Sequence, residues 1–150
     1  MGCSAPQGME RKSPLNDKIA YELVLNEENF IGKGGFGNVF KAVRFHDEKV
    51  FAIKMSKLNY RLLFSKDKQD LDNEVEVMRK LNHPFIVKVI DRFIHEEGSL
   101  CIVLDYYPDK DFKSLLEQRN QQYFEESEIK RFLANIIITI SYIRDRGITH

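Results

Sequence analysis

Cysteine is scarce in this chain of 150 residues, with only Cys3 and Cys101. One sits in a polar N-terminal stretch and the other in an apolar run, so there is no disulfide framework and a reducing, cytosolic setting fits. An excess of either charge is also missing, since Lys+Arg and Asp+Glu are 23 each. No global field therefore draws the chain to nucleic acid or to an anionic membrane. Residues 1–20 lack the continuous apolar stretch of a secretory signal. The run Ile136–Ile140 is broken by Thr139 and is far too short to span a bilayer. No internal repeat or low-complexity tract stands out. What remains is a chain that is 43% hydrophobic, enough for one domain with a core of its own.

Residues 1–20, rich in Gly, Ser, Pro, Gln and charge, are expected to form a flexible tail. Their opening, Met1-Gly2-Cys3-Ser4, has two readings. It is similar to a dual-acylation start, with myristate on Gly2 and palmitate on Cys3. That pairing is sensible because one acyl chain holds a membrane only marginally. Against it, Pro6 stands where the motif wants Ser or Thr, and basic support is limited to Arg11, Lys12 and Lys18. An unmodified tail is the other reading.

The most informative stretch is Ile31-Gly-Lys-Gly-Gly-Phe-Gly-Asn-Val39, followed by Phe-Ala-Ile-Lys54 with the lysine 17 positions after Gly37. Glycines spaced G-x-G-x-x-G let a backbone approach phosphates that a Cβ would hold away. In a dinucleotide-binding turn these glycines would open a helix. Here β-branched and aromatic residues follow, Val39-Phe-Lys-Ala-Val43, then a polar turn and the strand Val50-Phe-Ala-Ile53. The motif thus caps a hairpin, and a Walker A loop fails for want of a G-K-[ST] at the right spacing. Lys54 in an apolar strand can aim one ammonium at the same phosphates, and the two halves together read as an ATP site.

A charged stretch, 56–70, precedes a predicted helix with the stripe Leu71, Val75, Met78 and Leu81. An ammonium in an apolar strand needs a carboxylate partner. Glu74, beside the stripe, is the candidate, with a solvated helix glutamate as the alternative. Pro84 ends the helix. Phe85–Val87 with Val89-Ile90 should start a strand, and Leu100–Leu104 should form a buried one after the Glu96-Glu97-Gly98 turn. Asp105-Tyr-Tyr-Pro108 is a stiff connector, a polar linker runs to Glu126, and residues 127–145 should form a second long helix.

In this order and spacing the motifs resemble the first half of a eukaryotic-type protein kinase, over about residues 25–150. They comprise the glycine loop, Phe-Ala-Ile-Lys54, Glu74, Leu-Asn-His-Pro-Phe-Ile-Val87, Leu104–Tyr107 and Tyr142…Gly147-Ile-Thr-His150. The resemblance implies an α+β fold: an N-lobe over about 21–104 with an antiparallel five-stranded sheet and one major helix, a hinge at 105–111, and a partial C-lobe over 112–150. It implies that ATP enters under Ile31 and Gly32, with the amides of Lys33, Gly34, Gly35, Phe36 and Gly37 over its phosphates. Lys54 would contact the α- and β-phosphates and pair with Glu74. Val39 and Ala52 would cover the adenine, Leu104 would be the gatekeeper, the Asp105 and Tyr107 backbones would bond the adenine edge, and Asp111 would meet a ribose hydroxyl. Met78, Val89 and His150 align with the family's stacked regulatory residues.

The chain departs from the pattern at Asp109-Lys110, where two glycines are usual, and at Asn135 and Arg144. Residues 118–126 resemble NIMA-related kinases. The long basic segment before Glu74, with Asn-His-Pro-Phe-Ile-Val87, resembles the cyclic-nucleotide-dependent group. Ser/Thr specificity is the expectation.

His150 would open the family's His-Arg-Asp loop, so the catalytic base and the Mg2+ ligands are expected after it, and the chain as written is not expected to transfer phosphate. Phe132, Leu133, Ile136, Ile137, Ile138, Ile140, Tyr142 and Ile143 cover nearly all sides of one helix, which implies burial on all sides. The leading expectation is the ATP-binding portion of a serine/threonine kinase acting on protein Ser/Thr hydroxyls, cytoplasmic and open to membrane contact through Gly2 and Cys3. The alternatives are a non-catalytic interaction or regulatory module that docks through this helix, and a nucleotide-binding protein of another family.

Overall fold

β-Branched and aromatic residues on both sides of the glycine turn, with no proline between Tyr21 and His83, give long pairing strands. The computed structural model describes residues 21–109, 111–119 and 123–148. The expectations for Gly2, Cys3 and His150 lie outside them. The described strands are β1 (Tyr21–Glu22), β2 (Phe30–Lys33), β3 (Gly37–Arg44), β4 (Val50–Asn59), β5 (Val89–Ile94) and β6 (Ser99–Asp105). They form one antiparallel sheet in the order β1-β3-β4-β6-β5, with β2 also paired to β3. The expected five strands are present, joined by the two-residue β1 that pairs with the far end of β3.

The sheet buries both faces. On one, Tyr21, Ala42, Phe51, Ile53, Cys101 and Val103 form a cluster completed by Leu23, Met55, Ile90 and Phe93. On the other, Val89, Leu100 and Ile102 receive Val75 of α1 (Ser65–Lys80), with Leu71 and Met78 of the same helix alongside. Each such side chain, taken fully from water, contributes roughly 1.5–3 kcal/mol. Burial also pushes the Cys101 thiol up to about 12, which leaves it a neutral packing group.

Several boundaries differ from the sequence reading. β4 continues to Asn59, a 3-10 turn follows at Tyr60–Leu62, and α1 starts at Ser65, inside the charged stretch. Propensity explains this: Lys, Asp and Gln on an exposed first turn are ordinary helix residues and need no apolar stripe. Phe85–Val87 is not strand. Ile86 N–H bonds the His83 carbonyl at 3.0 Å in a turn around Pro84, and pairing begins only at Val89. The expected linker contains a helix, α2 (Phe112–Gln118), whose N-cap Asp111 accepts the Ser114 amide at 2.8 Å.

The long helix is α3 (Glu126–Arg144), opened by a capping box between Glu125 and Glu128. Arg119 at the end of α2 clamps Glu128 with two bonds of 3.0 and 2.7 Å, while Phe112, Phe124 and Phe132 stack or meet edge-on at 5.4–5.6 Å. Toward the sheet half, the Tyr142 hydroxyl accepts the Asn82 amide at 2.8 Å, and the ring lies 4.8 Å from His83. No described helix is long and apolar enough to cross a membrane.

Candidate nucleotide-binding site

The register of the sheet lines up the expected site residues. Val39 faces Lys54, which faces Ile102. One step along, Lys41 faces Ala52, Ala52 faces Leu104, and Leu104 faces Val89. Opposite residues share a face, so Val39, Ala52, Lys54 and Leu104 project together on the side that carries α1. Ala52 is buried and Val39, Lys54 and Leu104 are half-buried. This makes an apolar wall ending in one ammonium.

The glycine hairpin closes one end of that wall. β2 and β3 pair through Gly32–Val39 and Lys33–Asn38, and the Gly34 amide donates to the Gly37 carbonyl at 2.8 Å. Lys57 holds the loop from β4: its amide donates to the Phe36 carbonyl at 3.1 Å and its Nζ to the Gly34 carbonyl at 3.0 Å.

The glycines divide into two kinds. A Cβ on Gly37 would lie 1.7 Å from the Met55 carbonyl oxygen, so that position is glycine for the sheet's own packing. A Cβ on Gly32, Gly34 or Gly35 would meet nothing within 4 Å. Their backbones are also outside the left-handed region, which among the described glycines belongs to Gly98 and Gly147. The protein's own packing and backbone shape therefore leave these three free to bear side chains.

Lys54 and Glu74 do not meet. Glu74 is exposed, and none of the ion pairs among the described residues joins it to Lys54. Instead the Lys54 ammonium lies 4.7 Å from the centroid of the Phe36 ring, and Phe36 packs on the cluster that includes Val75 and Ile102.

The phase of α1 is set by other contacts. Arg92 of β5 pairs with Asp72 and reaches Glu76, one turn on, at 4.0 Å, while the Tyr60 hydroxyl donates to Asp72 at 2.8 Å. Residues 72 and 76 share a helix face, and Glu74 lies about 200° around from Asp72. The sequence held a signal for this network in two carboxylates spaced i, i+4, but nothing in it pointed to Arg92. Met78 and Val89 do come together, in the same cluster as Val75.

At the other end of the wall the chain leaves β6 through Asp105, whose amide is taken by the Lys88 carbonyl at 3.1 Å, and continues past an exposed Tyr107. Asp111 spends one carboxylate oxygen on the α2 cap. Hydrogen bonds from the Ser114 hydroxyl and amide hold it below the usual carboxylate range. Among the described residues no three His, Cys, Asp or Glu side chains come together as a metal cluster.

A curled antiparallel sheet, a glycine hairpin open toward one face, and a lysine facing that hairpin from the third long strand define an α+β domain of one recognisable class. The sequence matches the protein kinase domain over residues 25–150, and the chain belongs to that family. It is 30% identical over 131 residues to a probable serine/threonine-protein kinase of Dictyostelium discoideum, covering 84% of this chain and 28% of that protein. It is 35% identical over 119 residues to the probable serine/threonine-protein kinase nek2 of the same organism, covering 77% of this chain and 28% of that one. Serine/threonine-protein kinase Nek1 of Mus musculus is 30% identical over 120 residues, 80% of this chain and 10% of Nek1. The two Nek relatives are consistent with the NIMA-related resemblance. The chain spans less than a third of each of these relatives. These relatives carry the name serine/threonine-protein kinase, and the protein kinase family uses ATP and Mg2+.

Proposed function

We propose that this chain is the ATP-binding portion of a protein kinase that, in its full-length form, transfers the γ-phosphate of ATP to Ser or Thr hydroxyls of protein substrates. The observation that carries the reading is the gathering of the open glycine loop, Lys54, Val39, Ala52 and Leu104 on one face of the sheet. The residues fit the nucleotide in three ways. The loop at Gly32–Gly37 leaves backbone exposed for phosphate, Val39, Ala52 and Leu104 offer an apolar slot for adenine, and Lys54 supplies the cation between them. Asp105 and Tyr107 are the hinge groups for the adenine edge, and Asp111 is the group for a ribose hydroxyl. Glu74 is the partner proposed for Lys54 in the nucleotide-bound form, which requires α1 to turn or shift.

Magnesium accompanies ATP and neutralises phosphate charge. Its ligands are expected after His150. The reading includes a cytoplasmic protein, for which Met1-Gly2-Cys3-Ser4 keeps its two readings, an unmodified tail or a dual-acylation start that gives peripheral membrane contact. The test is ATP binding by the full chain, read by calorimetry, against Lys54→Met and Gly34→Val. Both variants should lose affinity by at least tenfold while keeping the parent's melting temperature. Unchanged binding in both sinks the site assignment.

A second reading, a non-catalytic interaction module, draws on one observation. The turn at 85–87, Phe112 and α3 line an apolar cavity of about 1020 Å³, and Ile136, Ile137, Ile138 and Ile140 are each more than half exposed. Retained partner binding by Lys54→Met in cells, with no phosphotransfer by the parent, would favour it.

A further inference from the structure

Three residues at the entry to α1 are poor choices for the fold itself. Phe64 is the N-cap, a place where Ser, Thr, Asp or Asn would accept a backbone amide, and it supplies no such bond. Lys66 and Lys68 stand among the first four residues of the helix, where its dipole favours anions. Leu62 is 80% exposed and Phe64 82%. The backbone is extended at Leu63 and Phe64, so Leu62 and Phe64 lie on one side of the chain and the half-buried Leu63 on the other.

The turn that carries these tips is firmly mounted. The Asn59 side chain accepts the Arg61 amide and donates to the Glu97 carbonyl, both at 3.0 Å. The Tyr60 amide donates to the Gly98 carbonyl and its hydroxyl to Asp72, both at 2.8 Å. Lys68 Nζ reaches back to the Arg61 carbonyl at 3.1 Å, which brings its ammonium beside Leu62 in sequence. Arg61 and Lys66 are exposed, and among the described residues no carboxylate forms an ion pair with Arg61, Lys66 or Lys68. The stretch 60–68 holds one carboxylate, Asp67.

We propose that the 60–68 turn is a docking surface for an anionic lipid bilayer. Leu62 and Phe64 enter the boundary between headgroups and acyl chains, and Arg61, Lys66 and Lys68 meet the lipid anions. With four-fifths of each apolar side chain bare, neither tip walls a groove for a peptide, whereas a bilayer boundary accepts apolar tips singly. Cations around the tips complement the negative charge of such a surface. The balanced net charge of the chain does not cancel this patch, because charges beyond about 10 Å are screened. The surface needs no acyl chain, so it is independent of how Gly2 and Cys3 are read.

The test is co-sedimentation of the full chain, made without acyl groups, with phosphatidylcholine vesicles containing about 30% phosphatidylserine. The parent should bind, and the pair Leu62→Ser with Phe64→Ser should weaken binding at least tenfold. Arg61→Gln with Lys66→Gln should weaken it about 25-fold, roughly fivefold for each cation removed. Phe64→Ser alone should keep or raise the melting temperature, since Ser caps a helix, so its weaker binding is not unfolding. The chain has no tryptophan, and Phe64→Trp adds a single reporter whose emission should shift to the blue on these vesicles. Equal binding to pure phosphatidylcholine overturns the proposal, as does binding that the Leu62 and Phe64 variants leave undiminished. Loss of binding in Ile137→Ser alone would place the adsorbing surface on α3 and overturn it too. A parent that ignores vesicles and sediments with polyglutamate has a protein-facing patch, which also rejects the bilayer.

Discussion

Ile53 in β4 is 0% exposed and Ile137 in α3 is 65% exposed. The same side chain marks the difference between the two halves of the molecule. Every fully buried apolar residue described lies between Tyr21 and Val103, whereas neither α2 nor α3 holds one. The sheet half closes its own core because strands bring distant residues face to face on both sides, and α1 covers what remains. The helical half has short-range order from caps, an Arg119–Glu128 clamp and three phenylalanines in mutual ring contact. Its Ile136, Ile137, Ile138 and Ile140, each more than half exposed, find no cover among the described residues. The lesson is that local helix signals set the shape of α3, while its burial depends on contacts the described residues do not supply.

Four substitutions and one titration break or sharpen that contrast. Gly37→Ala should have the largest effect, because its Cβ meets the Met55 carbonyl at 1.7 Å and the clash is with backbone. We expect loss of a cooperative unfolding transition by urea and circular dichroism, where Gly34→Ala, with open space, should melt like the parent. Ile53→Ala removes a fully buried side chain and should cost about 2–5 kcal/mol in the same assay. Ile137→Ser should change stability by less than about 0.5 kcal/mol and lower the binding of an apolar dye such as ANS. A large destabilisation by Ile137→Ser would show that α3 is covered after all.

The smallest effect is on pH. The Arg119 guanidinium, then the Glu125 amide, hold the Glu128 carboxyl below its ordinary value. A carboxylate depressed in the folded state stabilises above its unfolded value of about 4.3, and that contribution disappears as pH falls through the lower folded value. Helical signal from the 112–144 region should therefore show an acid step below about pH 4 that Glu128→Gln removes. Persistence of the step in the variant would contradict the clamp.

The sheet half was the more legible in sequence. Alternation around the glycines gave β2, β3 and the start of β4, and the stripe Leu71, Val75, Met78 and Leu81 gave the buried face of α1. β1 was invisible because two residues carry no periodicity and pair only through tertiary contact. α2 was missed because seven residues fall within a polar stretch, although Asp111 with Ser114 three positions later is a usable cap signal. Of the residues that the resemblance implied for the site, Val39, Ala52, Lys54 and Leu104 share one face of the sheet. Glu74 did not reach Lys54. Helix phase alone could not decide between a partner and a solvated glutamate, and Arg92, far along the chain, settles the phase that the structure adopts.

The central claim is that nucleotide binds across the glycine loop, Lys54 and the 105–107 connection. The direct test is an amide chemical-shift titration of the full chain with ATP. The account predicts that the largest changes fall on Lys33–Gly37, Ala52, Lys54 and Asp105–Tyr107, with α3 unmoved. Changes confined to the α3 groove, or none at saturating ATP, would contradict it.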